Sequence, residues 1–195
     1  MVQPRKYTNR AYLDALEQRV LIFDGAMGTS VQALELTPEQ FGGEQYNGCI
    51  DYLVLSYPQA IEHVHRSFLD VGVDVLETDT FRANCLTLGE YGLSQRVFDI
   101  NHAAAVLARS LVDEYSTPGK PRFVAGSIGP SGKLISADDP DLSDITFDEL
   151  VEVFREQAVA LIAGGVDLLL VETSQDILEV RAVIMGIQLA FEESE

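Results

Sequence analysis

Short apolar runs alternate along this chain with polar or glycine-rich turns and then with helical patterns. The runs are Val20-Leu21-Ile22-Phe23, Tyr52-Leu53-Val54-Leu55, Val75-Leu76, Phe123-Val124-Ala125 and Leu168-Leu169-Leu170-Val171. Continuous apolar runs of this length suit strands buried on both faces of a parallel sheet. Helical stripes separate them. Residues 59–71 place Ile61, Val64, Phe68 and Val71 at helical spacing. Residues 96–115 form a longer, alanine-rich pattern, and 147–163 open on a capping-box signature, Thr146 to Glu149. A last helix over about 176–191 carries Ile177, Val180, Ile184, Ile187 and Phe191.

This alternation predicts right-handed βαβ units and an α/β fold. Strand starts near 20, 52, 75, 122 and 168 give five βα units. An open doubly wound sheet and part of a (β/α)8 barrel both accommodate them. Count favours the open sheet, because a complete barrel takes about 250 residues and the chain has 195.

Thirteen Lys and Arg against 31 Asp and Glu leave a net charge of −18. Such a field repels polyanions, which argues against nucleic acid and anionic membrane surfaces as partners. No apolar run approaches the roughly 18 residues of a membrane span, and residues 1–18 contain no signal-peptide core. Two cysteines, Cys49 and Cys85, make neither a disulfide framework nor a cysteine-rich zinc site. A cytoplasmic location is the expectation.

In either architecture ligands meet the C-terminal ends of the strands. The first strand ends in Asp24-Gly25-Ala26-Met27-Gly28-Thr29. Its glycines either let backbone amides approach an anion or serve a tight turn that needs glycine φ angles. The third ends in Glu77-Thr78-Asp79-Thr80, whose two carboxylates sit two apart and are costly unless paired or hydrogen-bonded. The fifth ends in Glu172-Thr173-Ser174-Gln175-Asp176. Glu172 at an inner rim can hold an ammonium group, while Ser174 or Asp176 can cap the next helix. Acidic rims beside a glycine-rich anion turn suit a zwitterion such as an amino acid. His63 and His65 lie two apart in a helical segment and point to different faces. With His102 in another helix, they read as core or surface residues rather than metal ligands.

The segments RVLIFDGAMGTSVQ (19–32), NGCIDYLVLSYPQAIEHVHRSFLDVGVDVLETDTFRAN (47–84), GSIGPSG (126–132) and GGVDLLLVETSQD (164–176) resemble, in order, the homocysteine S-methyltransferase domain. That domain is the N-terminal module of cobalamin-dependent methionine synthases and is related to betaine–homocysteine methyltransferases. The resemblance covers nearly the whole chain and implies a (β/α)8 TIM barrel, with residues 1–195 as its N-terminal part and about the first five βα units. It implies a transferase that binds homocysteine for attack of a zinc-activated thiolate on a methyl donor, giving methionine. The family's zinc cysteines sit in Asn-Cys and Gly-Gly-Cys-Cys motifs, which this sequence lacks, so no zinc ligand is carried over. The site implied is the amino-acid pocket. Asp24, Gly25, Ala26, Met27, Gly28 and Thr29 match the loop that cradles the carboxylate and backbone, and Glu172 matches the residue that binds the ammonium. Asp79 stands where relatives often have Asn. Methylcobalamin on another module, betaine and S-methylmethionine remain open as donors. The partners implied are a C-terminal half barrel and adjacent folate and cobalamin modules. The alternative is a catalytically incomplete fragment, or a binding or interaction module without methyltransferase activity of its own.

Overall fold

A computed structural model describes residues 10–193. Eight helices and three strands follow one another: α1 (Ala11–Gln18), α2 (Met27–Gln32), α3 (Leu53–Ser56), α4 (Pro58–Val71), β1 (Val75–Glu77), α5 (Cys85–Gly89), α6 (Val97–Tyr115), β2 (Phe123–Ile128), α7 (Phe147–Ala163), β3 (Leu168–Val171) and α8 (Ile177–Glu193). The strands form one parallel sheet in the order β1-β2-β3. The run at 20–23 adds a fourth parallel segment beside β1. It is reduced to a single bridge between Phe23 and Val75, with Ile22 O accepting from the amides of Asp74 and Val75.

The second expected strand is absent. Ile50–Tyr52 is a 3₁₀ turn and Leu53–Ser56 is helical. A four-residue apolar run does not by itself distinguish strand from buried helix, and here the place is taken. Residues 22–24 bond directly to 74–75, so no strand fits between them. Leu53 and Val54 pack instead into the cluster shared with Ile61, Val64, Val97 and Ile100. Four parallel segments therefore stand where five were expected.

Alternate strand residues serve opposite faces of the sheet. Leu76 and Val124 pack on Leu69, Ala108, Leu111 and Val112 of α4 and α6. Val75, Phe123 and Ala125 pack with Leu21, Phe23, Leu168 and Leu170 on the other face. There Tyr12 of α1 meets Phe123 edge-on, with ring centroids 5.4 Å apart. Helices α4, α6 and α7 fall within a residue or two of expectation, and the Thr146–Glu149 capping box is formed in both directions. Two predicted stripes are rotated. On α4, Val71 is exposed while His65 and Leu69 are buried. On α8, Ile177, Ile184 and Phe191 face outward, and Glu179, Ala182, Val183, Gly186 and Ala190 are buried.

One device recurs at the starts of β1 and β3. Asp74 accepts the Ile22 amide at 2.9 Å and pairs with Arg19 at 2.8 Å. Asp167 accepts the Val124 amide at 2.8 Å and pairs with Arg109 at 2.7 Å. In each case the carboxylate staples the preceding strand to its own, and an arginine neutralises it.

Candidate functional site

The opposite ends of the same strands carry Asp24, Glu77, Ser127 and Glu172 side by side in sheet order. Asp24 Oδ1 accepts the Glu77 amide at 3.0 Å, which fixes one oxygen of the carboxyl. Glu172 Oε1 accepts from the Ser127 hydroxyl at 2.6 Å. Ser127 is held in turn by a closed set of bonds. Its amide donates to Thr78 Oγ1, its carbonyl accepts from Thr80 Oγ1, and the two threonine hydroxyls lie 2.6 Å apart. Among the described residues, Glu77, Asp79 and Glu172 have no ion-pair partner within 4 Å.

The electrostatic consequence is a rim short of positive charge. Burial, together with the negative charges of Glu77 and Glu172, pushes Asp24 up to about 7 against the pull of the Glu77 amide. Burial and Glu172 push Glu77 to about 7 as well. Both groups hold protons near neutrality that an incoming cation would displace. Thr173, directly after Glu172, has φ 59°. That left-handed conformation is unusual for a β-branched residue and turns the chain sharply at the rim.

Asp79 belongs to a different group. It is buried, its Oδ2 has no partner, and its carboxyl is raised well above the ordinary range by burial and by the charge of Asp51. Asp51 accepts the Arg82 amide at 2.9 Å and is itself raised to about 6, chiefly by burial. Burial and Asp51 thus both favour the neutral form of Asp79, the form in which it most resembles Asn. Glu77 and Asp79, two apart in sequence, have different charged neighbours.

The loop between Asp24 and α2 lies at the surface. Gly25, Ala26 and Thr29 are exposed, and Met27 and Gly28 half-buried. The hydroxyls of Ser30 and Thr29 donate back to Ala26 O at 2.8 and 3.5 Å. The first amides of a helix have no acceptor within it. Neither Gly25 nor Gly28 has positive φ, and a Cβ on either would meet only ordinary contacts at 3.8 Å. A tight turn demanding glycine φ angles therefore does not explain them.

Asp176 acts structurally, as expected of a cap. Its carboxylate accepts the Leu178 amide at the start of α8 and the Ser136 amide of the loop after β2. Sequence reasoning assigned no site role to Ser127 or Asp51, and it read His65 as a core or surface residue, which its burial bears out as core. Ser127 is the one hydroxyl in the otherwise apolar FVAGSI strand, and His65 sits on an apolar helical stripe. Both were legible as polar residues at buried positions.

The sequence model of the homocysteine S-methyltransferase family matches residues 21–193. The chain is 38% identical over 174 residues to the methionine synthase of Mycobacterium tuberculosis (strain ATCC 25618 / H37Rv), a match covering 89% of this chain and 14% of that protein. Among solved structures it is similar to the homocysteine methyltransferase MmuM from Escherichia coli. The metallated form superposes with a TM-score of 0.71 at 20% identity, over 92% of this chain and 62% of that one. The oxidized form gives 0.75 at 21%, over 94% and 63%. The chain thus spans less than two thirds of each of these relatives and shares the α/β fold of the solved ones. On the family match over nearly its whole length, this chain belongs to the homocysteine S-methyltransferase family.

Proposed function

We propose that this chain binds the amino-acid end of homocysteine, within a (β/α)8 barrel of which its parallel segments form consecutive strands. The observation that carries this reading is the acidic rim of Asp24, Glu77 and Glu172, with no lysine or arginine paired to it among the described residues, beside the exposed loop at 25–29. The rim suits an ammonium group and the loop a carboxylate. Glu172, oriented by the Ser127 hydroxyl, is the principal ammonium ligand, and Asp24 supports it. Gly25, Ala26, Met27, Gly28 and Thr29 take the carboxylate. Asp79, buried and neutral, lines the floor as an Asn-like donor. The segment 20–24 and β3 are the sheet edges among the described residues, and further barrel strands would pair there.

The residues of this chain do not fit the zinc ion that the family implies. Cys49 is buried, and burial and Asp51 push its thiol up to about 12. Burial raises Cys85 also. Zinc-binding thiols are shifted the other way. Among the described residues no group of three or more His, Cys, Asp or Glu is arranged to hold a metal. This chain's part in methyl transfer to give methionine is to bind and orient homocysteine. The zinc thiolates, the half barrel carrying them and any folate or methylcobalamin module lie outside its described residues. Among those residues no helix is long and apolar enough to cross a membrane, and the reading places the protein in the cytoplasm.

Calorimetric titration tests the reading with three thiols: homocysteine, 4-mercaptobutyrate, which lacks the ammonium, and 3-aminopropanethiol, which lacks the carboxylate. Homocysteine is expected to bind at least about tenfold more tightly than either. Equal binding of 4-mercaptobutyrate would contradict the ammonium site.

A further inference from the structure

His65 on α4 is fully buried, and neither ring nitrogen has a hydrogen-bond partner. A buried imidazole with nothing to bond is costly and calls for an explanation. The charged atom it faces is Asp24 Oδ2, 3.9 Å from Nδ1. That is the one Asp24 oxygen the Glu77 amide does not hold. The gap is too short for a water in line, since two hydrogen bonds span well over 5 Å. It is also too long for a direct bond, by less than one ångström. Side chains at binding sites commonly stand slightly apart before the ligand arrives and close once it is bound.

We propose that His65 is a positioning residue for Asp24: its neutral imidazole carries the proton on Nδ1 and donates it to Asp24 Oδ2 when that carboxyl ionises. The inference rests on the reading of Asp24 as an ammonium-binding residue only for its consequence in binding. The proton belongs on Nδ1 because the acceptor in reach lies on that side, which leaves Nε2 as the bare nitrogen. Burial keeps the ring neutral, with its pKa lowered to about 4, so His65 supplies a donor without a competing positive charge. The groups facing Asp24 are Glu77 at the end of β1 and Glu172 at the end of β3, both acidic, and His65 from α4. Two of the three disfavour the ionised carboxylate. His65 is the side chain among them that can favour it, and it does so at the oxygen that the Glu77 amide leaves free.

The test needs no ligand, so it can fail independently of the homocysteine reading. Nitrogen-15 spectra of histidine-labelled protein resolve three imidazoles, and His65→Asn identifies the one in question. The expected signal is a neutral ring protonated on Nδ1 that does not titrate between pH 5.5 and 8. An Nε2-protonated ring, or titration near an ordinary histidine pKa, would overturn the proposal. The Asp24 carboxyl carbon is then titrated in variants. His65→Leu should raise its midpoint by about one pH unit. His65→Asn, whose amide can reach the Nδ1 position, should restore it, and His65→Gln should not. Identical midpoints in all variants, or equal shifts in all three, would overturn it. The wild-type ring spectrum stands as a test even if His65→Leu does not fold.

Discussion

The two ends of this sheet use the same residue types to opposite effect. At the N-terminal ends, Asp74 and Asp167 each accept a backbone amide and face an arginine. Although burial works against it, the Arg19 bond and the Ile22 amide hold Asp74 below the usual carboxylate range. At the C-terminal ends, Asp24 and Glu77 are raised to about 7 by burial and by neighbouring acidic groups, and no arginine or lysine among the described residues offsets them. One strand pattern, GVDVLET at 72–78 and GVDLLLVET at 165–173, places an arginine-paired carboxylate at one end and, at the other, one with no arginine or lysine partner among the described residues. Arginine-paired carboxylates stabilise a fold, while perturbed carboxyls without a cation mark candidate binding positions. In barrel folds the same division separates the stabilising face from the working face.

That division breaks most visibly at Asp74. Replacing it with Ala leaves Arg19 and the Ile22 amide without their acceptor and should cost about 3 kcal/mol, lowering Tm by roughly 6–12 °C. Calorimetric melting checks this, and a shift under about 2 °C would mean the N-terminal staple contributes little.

Two glycines sharpen the contrast. A Cβ on Gly129 would lie 2.4 Å from the Phe81 carbonyl oxygen, where the two loops are joined by the Gly129 amide. Gly129→Ala should therefore destabilise by about 1–3 kcal/mol. Gly25→Ala meets only the Phe68 ring edge at 3.8 Å. It should melt within about 1 °C of wild type while weakening homocysteine binding several-fold, if the loop at 25–29 takes the ligand's carboxylate as proposed. Equal melting losses in both variants would remove the loop at 25–29 from the site.

The smallest effect is in pH. Asp24 and Glu77 have folded pKa values above their ordinary ones, so the folded state binds their protons more tightly. Their stabilisation is complete below about pH 4 and is lost as pH rises towards 7. His65, lowered to about 4, acts oppositely, and its contribution is lost as pH falls from 6.5 through 4. With Asp51 and Asp79 also raised, the carboxyls outweigh the one imidazole. Tm should be higher at pH 5.5 than at pH 8, and Glu77→Gln should shrink that difference. A Tm that rises with pH over this range would contradict the assignment.

Much of this was legible in the sequence. Helices α4, α6 and α7 were legible in extent, α7 with its capping box, and β2 and β3 in their apolar runs. The segment 52–55 was not legible, because its apolar run suits strand and helix equally and hydrogen bonds between distant residues decided the outcome. The α8 stripe misled because Glu179, which accepts both the amide and the hydroxyl of Ser131, turns a charged side chain inward and leaves Ile184 outside. The acidic residues of the rim could be named from their positions at strand ends. Their division into Asp24–Glu77–Glu172 and Asp51–Asp79 could not, since it depends on which loops meet across the sheet. His65 was legible as a core or surface histidine, and its closeness to Asp24, which depends on the fold, could not be read from the sequence.

The central claim is that the two ends of the sheet are separable, one for stability and one for binding. It is tested most directly by measuring both Tm and the homocysteine dissociation constant for Asp74→Ala and Glu172→Gln. The account predicts that Asp74→Ala melts several degrees lower and, once folded, binds as wild type does. It predicts that Glu172→Gln melts near wild type and binds about 10- to 150-fold more weakly, the loss of a charge-assisted hydrogen bond of about 1.5–3 kcal/mol. An unchanged dissociation constant for folded Glu172→Gln, with its Tm lowered as in Asp74→Ala, would contradict it.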